Sequence, residues 1–198
     1  MKKYNIIAIE RQYASGGLLI GKLLSEKVGV TLYDRIILEM AAKKIGVSLD
    51  NIEHLEETQT SSLSFGISMS ALGGIMDQIP LASQLFFSET EIIKNISRAG
   101  PCIIVGRCAP YILNDRKDCL KVFIYSDKNN RIKRAIQEYR IPESKVETTL
   151  RKNDQRRANF YNANSETKWD EKESYDICLN SGLLGIENCV DLLSEMME

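Results

Sequence analysis

The sequence lacks an excess of charge of either sign and has no long hydrophobic run. Its 198 residues include 26 Lys and Arg against 27 Asp and Glu, which gives a net charge of −1. This balance excludes a whole-molecule field that would draw the protein to nucleic acid or anionic lipid. No stretch approaches the roughly 18 to 20 apolar residues of a membrane span, and the apolar run near the N-terminus is too short for a signal peptide. We therefore expect neither nucleic acid nor a membrane as a partner.

Disulfide and metal-binding patterns are missing as well. The five cysteines are odd in number and contain no C-x-x-C pair: Cys102, Cys108, Cys119, Cys178 and Cys189. This pattern fits neither a disulfide framework nor a zinc site, so we expect reduced, mostly buried thiols in a cytoplasmic protein without a metal centre of its own. The single histidine, His54, is predicted to lie at the surface, and the single tryptophan, Trp169, to be a packing residue.

What the sequence does contain is typical of a globular α/β protein. It is 43% hydrophobic and 27% charged, which excludes an intrinsically disordered chain. Short apolar runs alternate with stretches of helical spacing, such as residues 18–28, 132–139 and 186–197. The runs are residues 4–9, 31–33, 102–105, 120–125 and 175–179. Buried strands that alternate with helices predict a parallel sheet covered on both faces, in one domain of residues 1–198.

The turn after the first strand, Glu10–Gly17, is the most informative segment. Ser15, Gly16 and Gly17 lie directly before a helix, whose first N–H groups form a positive end. Small residues there let a phosphate approach the backbone closely. The alternative is a tight turn that needs glycine only for packing.

A P-loop that begins at Gly16 is a less favoured interpretation. Residues 16–22, GGLLIGK, match the start of the P-loop pattern, but Leu23 stands where that pattern needs Ser or Thr for Mg²⁺. Three apolar residues would also fall inside a polar cradle. We therefore predict that Lys22 is a solvated helix residue.

Polar groups also follow the second and third strands. Asp34 and Arg35 come after the second strand, and Arg107 comes after the third, where the carboxyl edge of an α/β sheet can hold a ligand. The alternative for Asp34 is a helix N-cap beside a surface arginine. Later, residues 140–157 carry six basic and three acidic residues. This segment is either a solvated helix or a mobile element that closes over a polyphosphate.

Taken together, these segments resemble the cytidylate kinase-like family, a divergent branch of the P-loop nucleoside monophosphate kinases. The resemblance covers nearly the whole chain in the family's order, except residues 58–75. It rests on IAIERQYASGG…IGKLL, LYDRIIL, PCIIVGRCAPYIL, KVFIYS followed by Arg131, and NDQRRANFYNANSETKWDEKESYDICLNSGLLGIE. It implies a doubly wound, parallel five-stranded sheet with a helical lid at about residues 140–172. It also implies Mg²⁺-dependent phosphoryl transfer from ATP to a nucleoside monophosphate such as CMP or dCMP.

The resemblance assigns roles to the candidate residues. Ser15, Gly16 and Gly17 contact the donor phosphates, and Arg131 reaches toward the lid and the nucleotide. Apart from the resemblance, Arg11 is also predicted to bind phosphate. Asp34, Arg35 and Arg107 lie on the acceptor side. The catalytic residues of the lid are Arg151, Arg156 and Arg157, oriented by Asp154. The uncharged residues 58–75 are either a flexible loop or an insert on the acceptor side.

Three departures from the family pattern leave alternatives open. The phosphate-binding lysine of cytidylate kinases falls on Gly17, the Mg²⁺-binding Ser or Thr falls on Leu18, and the acid of the third-strand motif falls on Cys108. Arg11 and Lys22 are the candidates for a replacement cation. An active kinase therefore stands beside a module that binds a nucleotide or another phosphorylated ligand without turnover. In a third reading, the loop is a packing turn and the basic segment a partner or dimer face, so a homo-oligomer stays open.

Overall fold

The computed structural model describes residues 3–49 and 79–197. Residues 58–75 and His54 lie outside these described residues. The strands are β1 (Ile6–Arg11), β2 (Thr31–Tyr33), β3 (Cys102–Val105), β4 (Cys119–Tyr125) and β5 (Ile177–Asn180). The helices are α1 (Gly17–Val28), α2 (Ile36–Ile45), α3 (Leu81–Ala99), α4 (Ala109–Ile112), α5 (Lys128–Gln137), α6 (Glu143–Ala163), α7 (Ser181–Leu184) and α8 (Ile186–Ser194), with a 3-10 turn at Lys172–Ser174.

The strands form one five-stranded sheet in the order β2-β3-β1-β4-β5, with every pair parallel. Side chains of β1 alternate between its two faces. Ile6 and Ala8 pack with α2 and α3, whereas Ile7 and Ile9 pack with α1 and α8. The predicted α/β class and doubly wound parallel sheet are therefore confirmed. In the described part of the chain, no helix is both long and apolar enough to cross a bilayer.

Several predicted element boundaries differ from the structure by a few residues. The apolar run predicts that β1 ends at Ile9, but Glu10 and Arg11 continue the strand beside Phe123 and Ile124 of β4. The backbone pairing of this central strand extends past its apolar residues because β4 continues on its flank. At the other end, the last helix stops at Ser194, and Met197 forms a parallel bridge with Tyr4.

Helices α5 and α6 pack on each other and on the segment after β1. Ala14 is buried in a cluster with Ala135 of α5 and with Val146 and Leu150 of α6. Farther along α6, the carbonyl oxygen of Tyr161 lies 4.0 Å from the Cys108 thiol, just beyond β3. Helix α6 therefore crosses the carboxyl edge of the sheet above β1 and β3.

An ion pair between Arg116 and Asp118, just before β4, makes the stability of the fold depend on pH in the acid range. Arg116 donates Nε and Nη2 to the two carboxylate oxygens of Asp118 at 2.9 and 2.7 Å. These hydrogen bonds lower the pKa of Asp118 from 3.8 to about 2. A carboxyl group whose pKa is lower in the folded state stabilises the fold above its unfolded pKa, and this contribution is lost as the pH falls through the folded value.

We expect Asp118→Asn to lose less of its stability than the parent protein between about pH 4 and pH 2. Urea unfolding at several pH values measures this difference. Parallel pH profiles for the two proteins would contradict the prediction.

Candidate functional site

The loop between β1 and α1 is held in a conformation that requires glycine. Ala14 and Gly16 adopt left-handed φ values of 58° and 84°. A Cβ atom built on Gly16 would lie 2.5 Å from Ile186 Cδ1 and 3.3 Å from Arg134 Cζ. Gly16 is thus needed both for its backbone angle and for close approach. The buried hydroxyl of Ser15 donates to the Gln12 carbonyl at 2.8 Å, so this side chain faces its own loop.

Side chains from three helices bind the carbonyl oxygens of this loop. Arg157 Nη1 donates to Arg11 O at 2.9 Å, Arg131 Nε to Tyr13 O at 2.8 Å, Arg134 Nη1 to Ala14 O at 3.2 Å and Ser181 Oγ to Ser15 O at 2.5 Å. The first N–H groups of α1 have no intrahelical acceptor, as at any helix N-terminus. The side-chain donors bind the carbonyl oxygens of the loop. The N–H groups at the start of α1 can therefore bind an anion.

Tyr13 is clamped between α5 and α6. Asp154 accepts a hydrogen bond from the Tyr13 N–H at 2.7 Å and forms an ion pair with Arg131. The Tyr13 ring meets the Tyr139 ring edge to face at 5.5 Å, and the Arg157 guanidinium lies 5.5 Å from its centroid. These contacts cover one side of the loop and fix its position relative to α6.

A cavity of about 230 Å³ opens between the end of β1, the end of β3 and α6. Its lining residues are Glu10, Arg11, Arg107, Asn153, Arg156, Arg157, Phe160 and Tyr161. Four of these are arginines and one is a carboxylate, Glu10, while Glu89 pairs with Arg107 from behind. Positive charges therefore outnumber negative ones among the lining residues, as suits a phosphate group.

Both carboxylates are buried and paired. Glu10 Oε2 accepts hydrogen bonds from Trp169 Nε1 at 3.2 Å and from Arg11 Nη1 at 3.3 Å. Glu89, on α3, is fully buried and forms an ion pair with Arg107 at 3.3 Å. These carboxylates hold two of the four guanidinium groups in place while leaving the cavity positive.

The charge of Arg157 is poorly compensated in this cavity. Burial, together with the neighbouring charge of Arg11, lowers the pKa of the Arg157 guanidinium to about 9. Both effects disfavour the charged form, and an anion placed between the two arginines would offset their repulsion and favour the charged form. The electrostatics therefore favour a bound anion.

Helix α6 divides the predicted lid residues between two cavities. Arg156 and Arg157 line the cavity described above, whereas Arg151 lines a separate cavity of about 590 Å³ between α5, α6 and Trp169. Asp154 borders this outer cavity from its position against Tyr13. The sequence grouped these residues by helical spacing, and the structure shows that successive turns face different spaces.

The predicted acceptor residues are also separated. Arg107 lines the 230 Å³ cavity, but Asp34 and Arg35 line neither of the two cavities. Arg35 is exposed at the start of α2, where its Nε lies 3.9 Å from Glu39 Oε1. The N-cap position of α2 belongs to Arg35, one residue after the predicted Asp34.

Sequence reasoning missed three charged residues of the site. Arg134 contacts Gly16, but in a polar helix it is indistinguishable from a solvated residue. Glu10 follows the apolar run of β1, and only the pairing with β4 shows that it is buried. Glu89 did leave a signal, because it lies at i, i+4 spacing between the buried Leu85 and Ile93 of α3.

Comparison with known protein families identifies one whose profile covers the whole candidate site. The profile of the cytidylate kinase-like family matches residues 6–183, a range that includes all five strands, the β1–α1 loop and α6. The chain belongs to this family. No curated protein matches the sequence.

Solved structures similar to this cytidylate kinase-like chain include other P-loop kinase folds. An uncharacterized protein from Eubacterium ventriosum ATCC 27560 is 23% identical with a TM-score of 0.70, and 96% of each chain is covered. Shikimate kinase from Bacteroides thetaiotaomicron is 13% identical with a TM-score of 0.54 over 96% of each chain. A gluconokinase from Sinorhizobium meliloti 1021 is 11% identical with a TM-score of 0.51, covering 98% of this chain and 96% of that one. These similarities show a shared fold.

One departure from the cytidylate kinase pattern has a clear electrostatic result. Cys108, in the place of the expected acid, is fully buried. Burial, followed by the nearby carboxylates Glu10 and Glu89, raises the pKa of the Cys108 thiol well above its usual value. The thiol is therefore neutral at physiological pH and does not reduce the positive charge of the cavity.

Mg²⁺, which the kinase fold implies, finds few oxygen ligands in this cytidylate kinase-like site. Leu18 offers no hydroxyl, and Glu10 Oε2 already accepts two hydrogen bonds. Over residues 3–49 and 79–197, no group of three or more His, Cys, Asp or Glu is arranged to hold a metal. These residues fit Mg²⁺ only as an ion held mainly by the phosphates of a nucleotide and by water.

Proposed function

We propose that this protein transfers a phosphoryl group from ATP, with Mg²⁺, to a nucleoside monophosphate such as CMP or dCMP. The observation that carries the proposal is the cavity in which arginines from β1, from the end of β3 and from α6 converge. Phosphoryl transfer needs positioning and neutralisation of charge, and little covalent work by the protein. Guanidinium groups suit this task because each can bind two phosphate oxygens at once.

The residues in and around this cavity have distinct proposed roles. The backbone of Gly16 and Gly17 holds the donor phosphates, and Arg107 binds the acceptor phosphate. Arg156 and Arg157 neutralise the charge that develops on the transferring group. Arg131 and Asp154 position the loop against α6, through Tyr13. Asp34 and Arg35 as acceptor ligands, and Arg151 as a lid residue, remain predictions from sequence.

We further propose a single domain in which residues of about 140–172 act as the lid and residues 58–75 as a loop or an acceptor-side insert. The proposed setting is the cytoplasm, with a small phosphorylated ligand as partner and without nucleic acid or membrane. A homo-oligomer stays open.

A second candidate is a module that binds a nucleotide or another phosphorylated ligand without turnover. It is favoured by Gly17 and Leu18, which replace the lysine and hydroxyl of cytidylate kinases. The covered outer side of the loop, where Ala14 is buried under α5 and α6, also favours it.

The decisive experiment is product formation with ATP and Mg²⁺ against a panel of nucleoside monophosphates and deoxynucleosides, with both products detected by chromatography. We expect a nucleoside diphosphate product. We also expect Arg156→Ala combined with Arg157→Ala to lower turnover by roughly 10³-fold or more, as loss of arginine charge does in other phosphoryl transfers. Lys152→Ala, at an exposed position on the same helix, serves as the matched control and should leave turnover unchanged.

Circular dichroism and urea unfolding establish that the variants are folded. Unchanged turnover in the double variant would contradict the kinase proposal. If folded parent protein is stabilised by ATP but forms no product above a boiled control, the binding module is the better description.

A further inference from the structure

The base of the Arg11 side chain fills the space where a lysine at position 17 would begin. A Cβ atom built on Gly17 would lie 2.5 Å from Arg11 Cβ and 2.9 Å from Arg11 Cγ. Because Cβ is fixed to the backbone of β1, rotation of the Arg11 side chain cannot relieve the first contact. Arg11 and any side chain at position 17 therefore exclude each other.

The outer end of Arg11 meets a second glycine. A Cβ atom built on Gly106 would lie 2.5 Å from Arg11 Nη1 and 3.0 Å from Cζ. The arginine thus runs from the start of α1 to the end of β3, with a glycine at each end of its path. Its Nη1 is anchored by Glu10 Oε2 at 3.3 Å. Its Nε is buried and has no hydrogen-bond partner among the residues that the structure describes.

The other basic residue near the loop is in a different environment. Lys22 lies on the second turn of α1, is exposed, and does not line the 230 Å³ cavity. Arg11 lines this cavity, and the Arg157 side chain lies close enough to donate to its carbonyl oxygen. Only one of the two candidates therefore faces the space where a phosphate would sit.

We infer that Arg11 supplies the phosphate-binding charge that cytidylate kinases obtain from a lysine at the start of α1, and that Gly17 is glycine to admit it. Gly106, whose φ of 82° itself favours glycine, leaves room for the guanidinium. The cation has moved from the helix to the preceding strand. A planar guanidinium at this place binds two phosphate oxygens where an ammonium binds as a point charge. This inference rests on the proposed function and names Arg11 as the side chain that binds the donor phosphates.

The chain contains an internal probe for the test. Trp169 is the single tryptophan, and its Nε1 donates to Glu10, which is itself the partner of Arg11. A phosphate bound by Arg11 will change the surroundings of this indole. Titration of inorganic pyrophosphate, followed by tryptophan fluorescence and by calorimetry, therefore reports on binding without any need for turnover.

We expect Arg11→Gln, which keeps the stem of the side chain but removes its charge, to weaken pyrophosphate binding roughly 10- to 100-fold, the usual worth of hydrogen bonds to a charged group. Lys22→Ala should bind like the parent. Gly17→Lys alone should be less stable and bind poorly. Combining it with Arg11→Gly should restore both stability and affinity, because the exchange returns the cation to the helix.

The outcomes separate the two proposals. Parent-like binding by Arg11→Gln, or loss of binding in Lys22→Ala instead, would overturn the role of Arg11 while leaving the kinase proposal intact. The role of Arg11 would also be overturned if the double variant Gly17→Lys, Arg11→Gly recovered its stability but not its affinity for pyrophosphate. A parent protein that binds neither pyrophosphate nor ATP would overturn both proposals together.

Discussion

Replacing Glu89 with alanine is expected to lower the free energy of unfolding by about 3–5 kcal/mol, because it leaves a partly buried cation without its paired charge. Glu89 is fully buried, and its Oε1 lies 3.3 Å from Arg107 Nη1. Removing the carboxylate also adds to the positive charge of a cavity that already contains four arginines. Urea unfolding at neutral pH measures the change.

The same helix provides the control. Glu91 forms an ion pair with Lys44 at 2.6 Å, but both side chains are about half exposed. Exposed pairs contribute at most about 1 kcal/mol, so Glu91→Ala should stay within that limit. Adding Arg107→Ala to the Glu89 variant should recover part of the loss. Equal effects of the two glutamate substitutions would contradict the importance of burial at position 89.

Replacing Asp154 with alanine is expected to cost about 2–4 kcal/mol, since one carboxylate serves two partners. It accepts the Tyr13 N–H at 2.7 Å and pairs with Arg131, whose side chain is only 10% exposed. Its loss leaves the Tyr13 N–H without its acceptor and the buried Arg131 without its paired charge, each of which is costly. The β1–α1 loop would also lose one of its ties to α6, so binding of inorganic pyrophosphate should weaken along with stability.

Glu147→Ala is the control for this experiment, because Glu147 also links α5 to α6. Its partner is Lys128 at 2.9 Å, with more than 60% of each side chain exposed. A change below about 1 kcal/mol is expected. A loss of that same small size in the Asp154 variant would show that the loop does not depend on this link.

The sequence predicts the sheet well because its strands are encoded locally. Residues 102–105 are apolar at every position, as a strand covered on both faces must be. The turn at Gly16 was also visible, since glycine is needed there for a left-handed angle. The prediction of reduced, mostly buried cysteines agrees with the structure, in which Cys178 is exposed and the other four are buried.

The charges of the site were less predictable because they depend on packing between distant segments. Arg134 reaches Gly16 only once α5 lies against the loop, and Arg156 and Arg151 separate only once α6 crosses the sheet. The close approach of Arg11 to Gly17 is a contact between a strand and the helix that follows it. No spacing rule describes that contact, which depends on the distance between two backbones.

Folding this chain means bringing four guanidinium groups together before any ligand is present. Within this set, the charges of Arg11 and Arg157 repel each other, and this repulsion opposes their being brought together. A phosphorylated ligand that binds only the folded chain would remove this repulsion and draw the folding equilibrium toward the native state. The supply of the ligand would then set how much of the chain survives proteolysis, so that ligand and protein levels would rise and fall together without a dedicated regulator.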